Sequence, residues 1–358
     1  MVGQETLKKM IMRKIISATF QTFLCLLVAA GCKKQNTPEA LSIQNPVKHT
    51  DEYYANLRAY KKTDHQIFYG WFAAYGNKEG VVADYKQSAS WGEHIAGLPD
   101  SLDFCSLWSG IPSLKKNDSL TTYNPIAYTE MRSAMSVRGI KMVIPEICRI
   151  QKYNGKFALT DQGIRDYVNY LLRMVHENDL DGLDLDYEPN NGQFVDWLSG
   201  TNFATFVKYL GDSLGPKSAH PDKYLIVDYY TDAIPSSVEP YINYLVNQSY
   251  TQGTTTSSAS FLQSRYNAVS FCPTRKFIVT ENLGDWWATG GSPFTEAGGN
   301  TLTSDGKQMY SLEGFARWNP TQGKKAGWGG FYFDRDYNNS PPYYNVRRTI
   351  QIANPSVK

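Results

Sequence analysis

The chain has 358 residues, of which 42% are hydrophobic and 20% are charged, and its formal net charge is +2. This balance excludes a strongly basic nucleic-acid-binding surface and a long acidic tail, so we expect no nucleic-acid partner. The length and the apolar fraction suffice for one large α/β domain rather than several small ones.

The amino terminus has the pattern of a bacterial lipoprotein signal peptide. Four Lys and Arg residues lie between positions 8 and 14, an apolar run spans positions 15–30, and small residues precede Cys32. The run is shorter than the about 20 apolar residues that a membrane-spanning helix needs, although an uncleaved anchor stays open as the alternative. We predict a signal peptide at residues 1–31 and lipid attachment to the thiol of Cys32.

A polar segment follows the signal peptide and precedes the folded part of the chain. Residues 32–60 suit a tether between the lipid and the domain, and residues 61–354 contain the domain itself. The anchor predicts a protein held in the bacterial cell envelope, at the outer membrane or the cell surface. A monomer is the default expectation for a tethered domain of this size.

Short apolar runs alternate with helical stretches beyond position 60, which is typical of parallel strands with crossover helices. A helix is predicted over residues 161–177, where apolar side chains recur at three- and four-residue spacing. Eight strands predict a (β/α)8 TIM barrel in a single domain, with functional residues at the carboxyl ends of the strands. A doubly wound open sheet is the alternative, but no Gly-rich nucleotide loop follows the first strand. The predicted strands are 65–70, 102–108, 141–146, 182–188, 224–229, 241–250, 276–282 and 329–333.

The fourth predicted strand is the most informative segment, because it carries acids at alternate positions. In the segment DGLDLDYE at residues 181–188, Asp184, Asp186 and Glu188 share one face of the strand. When several carboxyls are buried close together, their mutual repulsion raises the pKa values of some of them. A fold rarely needs such a cluster for stability, so the cluster indicates a functional site. A calcium site or a solvated acidic edge is the alternative, although the spacing does not fit a calcium-binding loop. The five histidines have no metal-ligand spacing, so we expect no metal and no cofactor.

The same segment resembles the DGxDxDxE signature of glycoside hydrolase family 18 at every specified position. The resemblance implies a retaining mechanism in which the acetamide group of the substrate, not a second enzymic carboxylate, is the nucleophile. It implies that Glu188 is the general acid and base, that Asp186 orients the acetamide, and that Asp184 adjusts the protonation of Asp186. Asp181, on the other face, is predicted to be a structural residue at the strand entrance.

Two residues at the end of the sixth predicted strand indicate which branch of the family the chain resembles. Gln248 and Tyr250 resemble the Gln-x-Tyr pattern of endo-β-N-acetylglucosaminidases better than the Met-x-Tyr-Asp pattern of chitinases. This resemblance implies that both side chains hydrogen bond the N-acetyl group of the substrate. Two satisfied polar residues at a strand end are the plain alternative.

Four further residues are predicted to bind the substrate. Trp286 and Trp287 lie in the Gly-rich segment 284–300 and could stack on glycan antennae, or pack beneath the loop. Tyr332 in the eighth strand and Asn282 at the end of the seventh are candidates for the lining of the sugar site.

The resemblance implies an endo-β-N-acetylglucosaminidase that cuts the β-1,4 bond between the two GlcNAc residues of an N-glycan core. Its partners would be the N-linked glycans of glycoproteins and, through the anchor, a membrane. Two alternatives stay open. One is a chitinase or chitooligosaccharide hydrolase with the same acids, and the other is a non-catalytic glycan-binding lipoprotein on the same fold.

Overall fold

The structure, a computed structural model, describes residues 47–75, 94–152, 157–190, 196–251 and 256–355. Eight parallel strands close into a barrel in which each strand pairs with the next in the chain and the eighth pairs with the first. The expected (β/α)8 barrel is therefore confirmed. The strands are β1 (Ile67–Phe72), β2 (Phe104–Leu107), β3 (Lys141–Ile147), β4 (Gly182–Tyr187), β5 (Tyr224–Tyr229), β6 (Tyr244–Gln248), β7 (Phe277–Asn282) and β8 (Gly327–Phe331).

Helices connect the strands. The helix predicted at 161–177 is found at Asp161–His176, where the side chain of Thr160 caps the amide of Gly163. Within the described residues the α-helices are α1 (Asp51–Tyr60), α2 (Pro125–Ser133), α3 (Asp161–His176), α4 (Gly200–Gly211), α5 (Ala259–Asn267), α6 (Leu283–Trp286), α7 (Ser311–Arg317) and α8 (Tyr344–Ala353). None of the described helices has the length and apolar character needed to cross a membrane.

Two apolar clusters fill the domain, one inside the barrel and one between the barrel and its helices. On β1, Ile67, Tyr69 and Trp71 belong to the inner cluster, whereas Phe68 and Phe72 belong to the outer one. The alternation follows from the two-residue period of a strand. The inner cluster fills the lower barrel, which leaves the carboxyl ends of the strands for polar side chains.

Several bounds differ from the sequence-based expectation, and β2 (Phe104–Leu107) and β6 (Tyr244–Gln248) are shorter at both ends than predicted. β1 and β8 each lie two residues from the predicted positions, because Gly and aromatic residues continue the apolar run and hide where strand pairing starts and stops. Residues 51–60, expected in the tether, form α1, whose first turn is capped by Thr50. Arg58 Nη1 of α1 donates a hydrogen bond to the carbonyl of Val137 at 2.5 Å, so this helix contacts the barrel domain.

Candidate active site

The acidic strand β4 is buried along its whole length. A Cβ atom at Gly182 would lie 2.2 Å from the carbonyl oxygen of Tyr224, so only glycine allows β5 to approach at this point. Asp184 and Asp186 point away from the outer apolar cluster, to which Leu183 and Leu185 belong. The alternation predicted from the sequence is therefore present, and it places two carboxyls inside the barrel.

Asp184 is fully buried and is held by hydrogen bonds from neutral groups. Its Oδ2 accepts from the Tyr69 hydroxyl at 2.5 Å, the Trp71 indole Nε1 at 2.9 Å and the Ser106 hydroxyl at 3.0 Å. Burial raises the pKa of Asp184, and these donors together with Asp228 oppose the rise. The three donors fix the carboxyl beneath the neighbouring acids.

Asp186 and Asp228 lie side by side, because they are register partners of β4 and β5. The Gln248 amide Nε2 donates to Asp228 Oδ1 at 2.6 Å and lies 3.4 Å from Asp186 Oδ1. Burial raises the pKa of Asp186 well above its usual value, and the charges of Glu188 and Asp184 add to the rise. Burial likewise raises the pKa of Asp228, with the charges of Asp184 and Asp186 adding to it.

The carboxyls of Asp184 and Asp228 also lie close enough to each other to share a proton. Asp184 Oδ1 and Asp228 Oδ2 are buried and accept from no N–H or hydroxyl group of the part of the chain that the structure describes, which fits two acids that share protons. Among the described residues, these carboxyls form no ion pair with Lys, Arg or His. The cluster therefore favours partial protonation.

Glu188 follows the last residue of β4 and is half-buried, whereas Asp184 and Asp186 are buried. Its charge raises the pKa values of both Asp186 and Tyr250, so the three groups are neighbours. The Tyr250 hydroxyl also contacts the side chain of Thr280 on β7. Glu188 is thus the outermost carboxyl of the row and the one that reaches the barrel mouth.

Aromatic rings surround this mouth, with Phe331 at their centre. Its ring centroid lies 3.9 Å from that of Tyr332, which stacks on it, and 5.1 Å from that of Trp108. Tyr250 lies 6.1 Å away and the buried Trp71 lies 6.0 Å away. Apolar ring faces beside a carboxyl row provide the mixed surface that sugars require.

Three other predicted residues are half-buried: Asn282, the last residue of β7, and Trp286 and Trp287, which follow it. The side-chain amide nitrogen of Asn282 donates to Asp285 Oδ2 at 2.9 Å, and its buried side-chain oxygen has no hydrogen-bond partner within the described part of the chain. The Trp286 indole donates to the carbonyl of Thr251 at 3.4 Å, which ties this loop to the residue after Tyr250. The described residues show no ring contact between either tryptophan and the Phe331 cluster.

A family model described as glycoside hydrolase family 18, BT1044-like, matches residues 34–352 of the chain. The chain belongs to glycoside hydrolase family 18.

Individual relatives agree with this family and with its endo-β-N-acetylglucosaminidase-like branch. The chain is 26% identical over 375 residues to endo-β-N-acetylglucosaminidase F2 of Elizabethkingia meningoseptica, which covers 95% of the chain and 99% of that relative. The solved structure of BT1044 has a TM-score of 0.65 at 20% identity, covering 90% of this chain and 95% of that one. An endo-β-N-acetylglucosaminidase of Cordyceps militaris has a TM-score of 0.60 at 23% identity, covering 87% and 98%. The expectation of a glycoside hydrolase is confirmed.

Within this family 18 barrel, the structure brings together five of the residues predicted from the sequence: Asp184, Asp186, Glu188, Gln248 and Tyr250. Tyr332 joins them through Phe331, although it follows β8 instead of lying in it and adopts a left-handed backbone with φ of 48°. Cys32 lies outside the described residues. No group of three or more His, Cys, Asp or Glu side chains in the described part of the chain is arranged to hold a metal ion.

Sequence reasoning missed Asp228, Trp108 and Phe331. Asp228 could have been found, because it lies at the carboxyl end of a correctly predicted strand, as Asp186 does. Trp108 and Phe331 gave no comparable signal, since aromatic residues near strand ends are usually core residues and only the ring distances place them at this mouth.

Proposed function

We propose that this chain is an endo-β-N-acetylglucosaminidase that hydrolyses the β-1,4 bond of the GlcNAc–GlcNAc core of N-glycans with retention of configuration. The observation that carries the proposal is the position of Asp186, which is buried beside Asp228, lies 3.4 Å from the Gln248 amide nitrogen and precedes Glu188 by two residues on the same face of the strand. A carboxyl and a primary amide side by side can bind both the N–H and the C=O of an acetamide group. Two groups of this kind give a 2-acetamido sugar a defined pose.

In the proposed reaction, Glu188 donates a proton to the glycosidic oxygen as the bond to the anomeric carbon breaks. The acetamide carbonyl oxygen of the substrate forms the new bond to that carbon, which produces an oxazolinium ion. Asp186 accepts a hydrogen bond from the acetamide N–H and stabilises the positive charge that develops there. Glu188 then removes a proton from water as the water oxygen attacks the anomeric carbon and the oxazolinium ring opens. This step restores the acetamide group of the sugar and the protonated form of Glu188.

Supporting groups prepare this chemistry. Asp184 and Asp228 lie against Asp186, so a proton shared within the cluster can relocate when the charge on the acetamide appears. Tyr250 and Gln248 are proposed to hold the acetamide carbonyl in its attacking direction. The rings of Trp108, Phe331 and Tyr332 are proposed to stack on the sugar.

The family and the relative of Elizabethkingia meningoseptica support an N-glycan substrate. The Cordyceps militaris enzyme, as a double variant, has been solved in complex with fucosyl-N-acetylglucosamine-Asn, with a TM-score of 0.59 to this chain. We also propose that Cys32 carries a lipid that holds the enzyme in the cell envelope. Labelling of cells with a fatty-acid analogue, comparing wild type with Cys32→Ala, tests this anchor, and equal labelling of both would contradict it.

The enzymatic proposal is tested with Glu188→Gln. We expect the wild type to release oligosaccharide from a glycoprotein and leave one GlcNAc on each site, as read by mass spectrometry. The variant should lose about 10²- to 10⁴-fold in rate, the range of general acid–base catalysis, while still binding the glycan. Glu177→Gln is the matched control, since Glu177 is an exposed carboxyl that pairs with Arg173 on the outside of the barrel.

The substrate panel should contain high-mannose, hybrid and complex glycoproteins and a series of chitin oligomers. Turnover of chitin oligomers alone would identify a chitooligosaccharide hydrolase. Binding of glycans without turnover in the wild type would identify a glycan-binding protein, and unchanged turnover in Glu188→Gln would refute the assignment of the acid.

A further inference from the structure

Glu281, on β7, is a fully buried carboxyl that the proposed chemistry does not use. Its neighbours Phe277 and Val279 at alternate positions belong to the outer apolar cluster, so Glu281 lies on the outer face of the strand, towards α7. It therefore faces away from the three aspartates. A buried carboxyl outside an active site requires hydrogen-bond donors, and the identity of these donors shows what the residue holds in place.

Four donors from four segments converge on Glu281. The Asn282 amide donates to Oε1 at 2.8 Å, and the Ser311 hydroxyl at the start of α7 donates to Oε2. The backbone N–H groups of Thr251 and Ser292 also face this carboxyl and lower its pKa, and the Ser292 N–H donates to the Ser311 hydroxyl oxygen at 3.0 Å. Burial raises the pKa of Glu281 to about 7, and all four donors oppose the rise. A carboxylate has about four acceptor sites, so the ionised group matches this set of donors.

Thr251 receives further contacts from the same loop. Its hydroxyl donates to the Ser292 hydroxyl at 2.7 Å, and its carbonyl accepts from the Trp286 indole at 3.4 Å. Thr251 directly follows Tyr250, whose own hydroxyl contacts Thr280, the residue before Glu281. Thr280 and Glu281 of β7 are thus neighbours of Tyr250 and Thr251 in the β6 loop. Thr280 faces Tyr250 on the inner face of the barrel wall, and Glu281 faces Thr251 on the outer face.

The close packing of this cluster is visible at Gly291. Its φ is +121°, and a Cβ atom there would lie 1.9 Å from the Ser311 hydroxyl oxygen. Only glycine tolerates both the backbone conformation and the approach. The Ser311 amide also donates to the Ser292 carbonyl at 2.8 Å, so α7 and the β7 loop are joined through backbone as well as through Glu281.

We propose that Glu281 is a positioning residue that fixes Tyr250 through Thr251 and joins the β6 loop to the Trp286 loop. The inference rests on the proposed function for the role of Tyr250 in holding the acetamide. Glu281 itself touches no substrate. Because it acts on the pose of the reacting group, its loss should lower kcat far more than it changes KM.

The test is a double-mutant cycle of Glu281→Gln with Tyr250→Phe, with kcat and KM measured for whichever 2-acetamido substrate the wild type cleaves best. Glutamine places an NH₂ group among donors, which leaves about half of them without an acceptor. We expect kcat to fall about 10-fold in Glu281→Gln, since small misplacements near the chemistry cost this much or more. In the Tyr250→Phe background the same substitution should have little further effect.

Two companion variants and one independent measurement complete the experiment. Ser311→Ala removes one donor and should lower kcat in the same direction but by less. Glu313→Gln is the control, since Glu313 is also a buried carboxyl but pairs with Arg317 and Arg348 on α7 and α8. Hydrogen exchange of the Thr251 amide should be faster in Glu281→Gln and unchanged in Glu313→Gln.

Each outcome decides a different point. Equal losses in both backgrounds, or slow exchange at Thr251 in Glu281→Gln, would overturn the positioning role even in an active enzyme. A wild type that cleaves no 2-acetamido substrate while Glu281→Gln accelerates exchange would contradict the proposed function and leave the structural link between Glu281 and Thr251 intact.

Discussion

Acidic residues have different kinds of partners at the two ends of the barrel. At the amino end, Asp181 binds Lys141 at 3.0 Å and Asp103 binds His65 at 3.0 Å. At the carboxyl end, Asp184, Asp186 and Asp228 have neutral donors and each other as partners. Asp181 and Asp184 lie only three positions apart in the same segment, so the difference comes from the neighbouring strands.

This difference separates acids that stabilise the fold from acids that are kept for chemistry. Paired charges at the amino end favour the folded state, because each carboxylate there has a charged hydrogen-bond partner. Unpaired carboxyls crowded in the interior cost folding free energy, and this cost persists at functional sites. Substitution should therefore have opposite consequences at the two ends, with activity lost at one and stability lost at the other.

The largest effect is expected for Asp186→Asn. The variant keeps the shape of the side chain but loses the negative charge that stabilises the developing oxazolinium ion. We expect kcat for glycan release to fall about 10²- to 10³-fold, by analogy with the loss of one preorganised electrostatic group. Thermal unfolding should show a protein at least as stable as the wild type. A variant with wild-type kcat would show that this carboxyl has no part in the reaction.

A smaller loss of activity, with a gain in stability, is expected for Asp228→Asn. Burial holds the pKa of Asp228 well above its usual value, so the folded state binds more protons than the unfolded state above a pH of about 3.9. Stability that depends on this proton falls as the pH rises above that value. An asparagine at this position does not ionise, so this decrease in stability with rising pH should be absent from the variant.

The measurement is denaturant unfolding of wild type and Asp228→Asn across pH 4 to 9. The variant should gain stability relative to the wild type as the pH rises, by on the order of 1.4 kcal/mol for each unit of raised pKa that is removed. Its kcat should fall about 10-fold, because the asparagine amide is a weaker acceptor for Gln248 and cannot share a proton with Asp184 and Asp186. A stability difference that stays constant with pH would mean that Asp228 is ionised at no cost.

The contrast also shows which features the sequence could predict. The alternating acids of β4 were predictable, because a two-residue period and a carboxyl-end position follow from strand geometry alone. The pairing of Asp186 with Asp228 was not, since it depends on the register between two strands that the sequence does not specify. For the same reason the aromatic cluster around Phe331 and the donors around Glu281 appear only when separate loops are brought together.

At the other end of the same strand, Asp181→Ala should lower stability and spare catalysis. Asp181 accepts hydrogen bonds from Lys141 Nζ at 3.0 Å and from the Met142 amide at 2.9 Å, so it joins the entrances of β3 and β4. Loss of a part-buried hydrogen-bonding carboxylate costs about 1 to 3 kcal/mol. We expect the midpoint of urea unfolding to fall while kcat at 25 °C stays within about twofold of wild type. A large fall in kcat in a fully folded variant would remove the functional distinction between the two ends.

The smallest effect is expected for His65→Gln, and its pH dependence separates it from Asp228→Asn. His65 Nε2 lies 3.0 Å from Asp103 and Nδ1 lies 2.9 Å from the Thr63 carbonyl, an arrangement that suits the doubly protonated ring. Burial lowers the pKa of His65, but the hydrogen bond and the charge of Asp103 prevail, and the net pKa is raised. The stability from this pair is therefore fully present below a pH of about 6.5 and is lost as the pH rises through the higher folded pKa. His65→Gln should accordingly destabilise the protein by about 0.5 to 1 kcal/mol at pH 5.5 and by less at pH 9, with activity unchanged at both. Equal destabilisation at the two pH values would show that the ring is neutral in the folded state, and that this end of the barrel is held by packing rather than by paired charge.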